Sequence, residues 1–151
     1  MGGRKLEIWA REMTGDDLDD VLAIERASFP TPWSREMFLE ELAYPFCYDF
    51  VAFVGEILVG YISFAVVCDE AHLRNVAVHH DWKRHGVASE LLAQMITIAS
   101  FMGARRGTLE VRESNRAALA LYKQFGFVVE GVRPSYYQET GEDALIMWVD
   151  F

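Results

Sequence analysis

Cysteine is scarce in this sequence. Its 151 residues hold two, Cys47 and Cys68, and neither belongs to a Cys-x-x-Cys pair or a His/Cys cluster. A disulfide scaffold is not expected, and the two read as buried thiols in a reducing compartment. Long apolar runs are missing as well. The longest, residues 57–68, is broken by Gly60 and Ser63 and is too short to span a bilayer. No apolar stretch follows Met1–Lys5, so a signal peptide is not expected. Positive charge is in deficit, with 14 Lys and Arg against 23 Asp and Glu and a net charge of −9. Such a chain is a poor partner for a phosphate backbone, which argues against direct nucleic-acid readout. Repeats, linkers and low-complexity segments are absent too. These absences point to a soluble cytoplasmic protein with no membrane partner.

What is present fits one folded domain over residues 1–151. Hydrophobic residues make up 52% and aromatics 13%, enough to bury a sizeable core. The charge is unevenly spread. Residues 1–70 carry 5 basic and 14 acidic side chains, residues 71–133 carry 9 and 5, and residues 134–151 carry 0 and 4. A basic middle thus lies between acidic ends.

Periodicity gives the order of elements. Residues 6–11 read as a first strand. Thr14, with Asp17 three positions on, opens a helix to about Ser28, with Leu18, Val21, Leu22 and Glu25 on one face. The prolines of Phe29-Pro-Thr-Pro-Trp33 break it. Ser34 caps a second helix, about 35–43, and Pro45 stops it. Two β-rich runs around Gly55 read as a hairpin, and residues 71–78 as a further strand. From Val87 the period changes to helical and holds to Ala99. Residues 108–111 form a short strand. Asn115 caps a last helix with Tyr122 on its buried side, and Gly126 ends it. Residues 127–133 and 144–149 are closing strands joined by a polar, Tyr-rich loop. The result is a mixed α/β domain around one sheet.

One passage carries chemistry. The strand ending in Val76-Ala77-Val78 runs through a basic loop, Lys83-Arg84-His85-Gly86, into a helix opened by Val87-Ala88-Ser89. The first amides of a helix lack internal partners and carry the positive end of its dipole, a ready phosphate site. Read alone, the loop is equally a solvated turn with an ordinary glycine. The passage resembles motif A of the GNAT superfamily of acetyl-CoA-dependent N-acetyltransferases, [Gln/Arg]-x-x-Gly-x-[Gly/Ala]. Lys83 departs from the usual first residue, and Ala88 is a permitted variant.

Leu109-Glu-Val-Arg-Glu-Ser-Asn115 through Leu121-Tyr122 and Gly126-Phe127 resembles motif B of that superfamily, in the narrower form of the RimI-type ribosomal-protein alanine N-acetyltransferases. Segments around Pro32-Trp33-Ser34 and Tyr136-Tyr137…Met147 follow the same pattern, so the resemblance covers about the whole chain. It implies a single-domain fold with a mostly antiparallel sheet of about seven strands flanked by about four helices. It implies acetyl transfer from acetyl-CoA, without a metal, to the N-terminal amine of a protein, a ribosomal protein in the type case.

The resemblance also assigns roles. An α-amine with a pKa of about 7.7–8 must lose a proton, and a thiolate must leave. Glu110 matches the family's general base. On spacing alone it also reads as a solvent-facing carboxylate paired with Arg112. Tyr122 matches the general acid, and otherwise reads as a core tyrosine. The backbone of Val76–Val78 is the implied donor to the oxyanion. Val76, Ala77, Val78, Lys83, Arg84, His85, Gly86, Val87, Ala88, Ser89 and Asn115 are the implied cofactor contacts, although a helix cap explains Asn115 as well. Pro32, Trp33, Tyr136 and Tyr137 are the implied acceptor contacts, against a reading in which Trp33 staples a helix and the tyrosines pack on the sheet. His72, His79, His80 and His85 fit no zinc spacing and read as loop or solvent-facing residues. Two other functions stay open on the motifs alone: acetylation of lysines or small amines, and CoA binding without turnover.

Overall fold

A computed structural model describes residues 6–151; the stretch Met1–Lys5, on which the signal-peptide reading bears, lies outside the described residues. The elements run β1 (Trp9–Glu12), α1 (Leu18–Ser28), α2 (Arg35–Ala43), β2 (Cys47–Val54), β3 (Ile57–Val67), β4 (Glu70–Val78), α3 (Val87–Phe101), β5 (Arg106–Arg112), α4 (Arg116–Gln124), β6 (Val128–Tyr137) and β7 (Glu142–Asp150). This α/β chain builds a seven-stranded sheet in the order β1-β2-β3-β4-β5-β7-β6. Pairs β1/β2, β5/β7 and β6/β7 are antiparallel, and β4/β5 is parallel. No helix among the described residues is long and apolar enough to cross a membrane.

Contacts gather the described residues into two compact units, the first running up to Ser63 and including Asn75–Met95, the second made of Phe64–Arg74 and Ile96–Phe151. In the first unit α1 opens as its sequence dictates. The Thr14 N–H donates to the Asp17 carboxylate at 2.8 Å, and a single 3₁₀ turn leads into the helix. Its apolar stripe is buried with Phe38, Val51 and Tyr61, at about 1.5–3 kcal/mol for each large side chain removed from water. Phe38 meets Tyr61 edge-on, with centroids 5.9 Å apart. Helix α2 begins where Ser34 accepts from the Met37 amide at 3.2 Å. Gly60 of β3 has no room for a side chain: a Cβ would lie 2.9 Å from both the Ala77 carbonyl and a Val87 methyl. That closeness brings the end of β4 and the start of α3 down onto β3.

In the second unit β5 and β7 pair over seven positions, from Arg106↔Asp150 to Arg112↔Ala144. Leu109, Phe127 and Met147 are fully buried there.

Three sequence expectations need correction. The first strand begins at Trp9 rather than residue 6, because its length is set by pairing with Phe50–Phe53. The Tyr-rich segment is not a loop. Two register shifts let β6 continue, and pairing resumes at Tyr137↔Glu142, leaving only a tight turn closed by the Gly141 N–H on the Tyr137 carbonyl at 2.8 Å. Cys68 is exposed and Cys47 half-buried, both as free thiols. Cys68 sits at the β3–β4 turn with φ +55°, so an apolar neighbourhood in sequence did not translate into burial.

Candidate functional site

In the first unit β4 delivers the chain to the basic loop. Strand alternation buries Ala77 and leaves Val76 and Val78 half-buried. The His79 N–H donates to the Val59 carbonyl at 2.8 Å and ends the strand. A 3₁₀ turn, His80–Trp82, follows. Arg84 and Gly86 then take left-handed φ of +66° and +82°. A Cβ on Gly86 would meet nothing within 4 Å, so backbone conformation, not crowding, asks for glycine. The Glu90 amide makes its helical bond to the Gly86 carbonyl at 3.0 Å. The amides of Val87, Ala88 and Ser89 precede it and have no intrahelical acceptor. Lys83, Arg84 and His85 are all exposed beside them. Charge, free amides and a left-handed turn therefore meet in one short segment, which fits a phosphate-bearing ligand. At its entrance His79, His80 and Asp81 hold potential metal-donor atoms within 4.8 Å of one another, with His80 and Asp81 exposed.

The α1–α2 loop of this unit carries Pro32 and Trp33. Pro32 is exposed. The Trp33 ring packs on Phe38 at 5.1 Å, as a staple would. Its backbone N–H donates to Glu25 Oε2 at 2.9 Å. Glu25 is 1% exposed. Its other oxygen accepts from the Tyr61 hydroxyl and from Asn75 Nδ2, the latter at 2.6 Å. Burial, reinforced by the Glu25 carboxylate, pushes the Tyr61 phenol far above its ordinary range. In the sequence Glu25 shares one helical face with Leu18, Val21 and Leu22, and no local pattern points to its three partners.

In the second unit β5 alternates, burying Leu109 and Val111 and turning Thr108, Glu110 and Arg112 to the other face. The parallel register sets His72 opposite Thr108. From there His72 Nε2 donates to Glu110 Oε2 at 2.6 Å. This bond holds the Glu110 carboxyl below the usual carboxylate range, against the opposing effect of burial. Glu110 is therefore ionised at neutral pH and able to take a proton. Arg112 is not its partner. The Arg112 guanidinium pairs with Glu139, lies 3.7 Å from Glu142 and covers the Tyr137 ring at 3.8 Å.

Tyr122 is buried on α4, its ring 6.0 Å from Phe127. Burial, and then the proximity of Tyr137, push its phenol well above the normal value. Burial likewise pushes Tyr137 up to about 12, against the pull of Arg112 and with Glu110 among the groups raising it. Tyr137 thus lies close enough to bias Tyr122, and close enough to Glu110 to feel its charge. Tyr136 is half-exposed, edge-on to Tyr137 with centroids 5.1 Å apart. Asn115 Oδ1 accepts from the Ala118 amide at 3.2 Å as the α4 cap.

Residues 18–127 match the acetyltransferase (GNAT) family. Over 146 residues the chain is 37% identical to a Bacillus subtilis (strain 168) protein provisionally named a ribosomal protein bS18-alanine N-acetyltransferase, covering 96% of this chain and 97% of that one. It is 35% identical to the ribosomal protein bS18-alanine N-acetyltransferase of Escherichia coli K12, over 87% of this chain and 89% of that protein. The crystal structure of the ribosomal-protein-S18-alanine N-acetyltransferase from Escherichia coli superposes with a TM-score of 0.87 at 32% identity, covering 95% of this chain and 94% of that one.

Proposed function

This chain belongs to the acetyltransferase (GNAT) family, and from that premise we propose that it acetylates the N-terminal α-amine of a protein, a ribosomal protein beginning with alanine. Acetyl-CoA supplies the acetyl group. The single domain of residues 1–151 works in the cytoplasm, where a reducing milieu suits its two free thiols.

The amine nitrogen attacks the thioester carbonyl, an N–C bond forms, and the C–S bond breaks. Glu110 receives the amine proton, directly or through water. His72 keeps that carboxylate ionised and turned to one side. A backbone N–H of Val76–Val78 stabilises the oxyanion. Tyr122, protonated at neutral pH, gives its proton to the departing sulfur. The amides of Val87, Ala88 and Ser89, with Lys83, Arg84 and His85, hold the phosphates over the Gly86 turn, and Asn115 touches the cofactor from the cap of α4. Pro32, Trp33, Tyr136 and Tyr137 flank the acceptor.

The observation that carries this reading is Glu110 itself. It is a carboxylate held low chiefly by a histidine, in a chain similar over 96% and 87% of its length to two proteins named as alanine N-acetyltransferases. The test incubates the protein and acetyl-CoA with a panel of peptides and locates the acetylated nitrogen by mass spectrometry. Acetylation of the α-amine of Ala-initiated peptides is expected. Acetylation confined to lysine side chains or small amines would overturn the reading.

A further inference from the structure

We propose that Glu25 is a positioning residue for the acceptor, fixing the α1–α2 loop to the strand that carries the oxyanion-binding backbone. The proposal rests on the function given above.

The geometry leads there from three sides. Glu25 projects from α1 and is 1% exposed, so no substrate touches it. Its three donors come from three different segments: the Trp33 backbone from the α1–α2 loop, Tyr61 from β3, and Asn75 from β4. None of these donors is cationic, so the carboxylate is held by hydrogen bonds alone. Those bonds are strong in a dry interior and costly to leave unmade. Asn75 directly precedes Val76, where the oxyanion donors begin. Trp33 directly follows Pro32, on the acceptor side. One carboxylate therefore bonds next to both reacting partners without belonging to either.

A loop containing Pro30 and Pro32 has few backbone amides of its own with which to anchor itself. The Trp33 N–H is the first amide after Pro32, and Glu25 Oε2 accepts it at 2.9 Å. The carboxylate thereby sets where the loop returns toward α2. Tyr61 reinforces the arrangement because its phenol stays protonated and can only donate to the anion.

Two substitutions of opposite kind test this. Glu25→Asp keeps the carboxylate but draws it back by one methylene, away from the Trp33 amide. Glu25→Gln keeps the length. Its oxygen can still face the Trp33 N–H, while the Tyr61 hydroxyl and the Asn75 amide can each reverse to accept from its nitrogen. In Glu25→Asp, KM for an Ala-initiated peptide is expected to rise about tenfold, with acetyl-CoA KM within twofold and hydrogen exchange at the Trp33 amide faster. Glu25→Gln is expected to stay within about threefold of the parent for both substrates. A residue that only stabilised the fold would lower kcat through loss of active protein and leave both KM values alone. That pattern would overturn the proposal, and so would unchanged exchange at Trp33 in Glu25→Asp. If Glu25→Asp does not fold, a Glu25→Gln protein with raised acceptor KM and slow Trp33 exchange would equally refute it. A parent enzyme that acetylates no peptide N-terminus refutes the functional reading and the acceptor role with it. Trp33 exchange then still reports whether Glu25 holds the loop.

Discussion

Glu25 and Glu110 are both carboxylates withdrawn from bulk water, one in each compact unit, and their surroundings differ in kind. Glu25 is fully enclosed and held by three neutral donors from three segments. Glu110 keeps 15% of its side chain exposed and bonds to one histidine, itself 40% exposed. Enclosure among neutral donors makes a carboxylate a fastener, since neither oxygen is open to a reactant and no partner can take up or give up a proton cheaply. A single ionisable partner leaves an accessible oxygen and a proton acceptor of adjustable strength. Burial alone does not separate the two roles; the number and chemistry of the partners do.

Substitution at Glu110, the proposed base, sharpens the contrast most. Glu110→Gln is expected to lower kcat by about 10³-fold with acetyl-CoA binding retained, measured by steady-state kinetics and calorimetry. Tyr122→Phe removes the proposed proton donor but keeps the ring against Phe127, and kcat should fall by about 10²-fold. Unchanged turnover in both variants would remove the distinction between reactive and structural groups in the second unit. Next comes the phosphate loop. Gly86→Ala forces a side chain into a left-handed turn at about 1–2 kcal/mol. Acetyl-CoA KM should rise about tenfold while peptide KM changes little.

Changes of pH probe the Glu110–His72 bond more gently. Glu110 is held low chiefly by His72, whereas burial acts in the other direction. Removing the imidazole in His72→Leu leaves the burial effect unopposed by its largest counterweight, so the carboxyl pKa rises. The acid limb of the kcat/KM profile should move up by about one pH unit, with the loss of rate largest at the acid end. An acid limb that stays in place would separate Glu110 from His72. The smallest effect concerns the acidic ends of the chain. If they favour a basic acceptor, its KM should rise about threefold in about 0.5 M salt, while that of a neutral peptide stays constant.

Local signals in the sequence gave much of this architecture. Helix α2 occupies residues 35–43 as read, because a serine cap and a proline stop are both local. The Asn115 cap, the Gly126 terminus and the basic loop before Val87 were legible for the same reason. The pairings that distinguish the two glutamates were not. His72 and Glu110 are 38 residues apart and meet through a parallel strand pair whose register no local pattern encodes. Asn75 lies 50 residues from Glu25. Arg112, two residues beyond Glu110 on the same face of the strand, pairs with Glu139 and covers the Tyr137 ring. Sequence neighbourhood therefore suggested the wrong ion pair, while the register across strands decided the right one. The length of β6 escaped for a related reason, since register shifts extended the pairing past the point where alternation breaks down.

Those same shifts bear on how the chain behaves in a crowded solution. Strand β6 is the outermost strand of its sheet and leaves Val128, Val129 and Val132 exposed. A straight edge with that composition would invite a second chain to dock strand to strand and begin a growing fibre. The irregularities between Val129 and Gly131 and between Arg133 and Tyr137 bend the free rim and interrupt its ladder of donors and acceptors. The bulges that bring Tyr136 and Tyr137 into the strand thus also act as a guard against self-association.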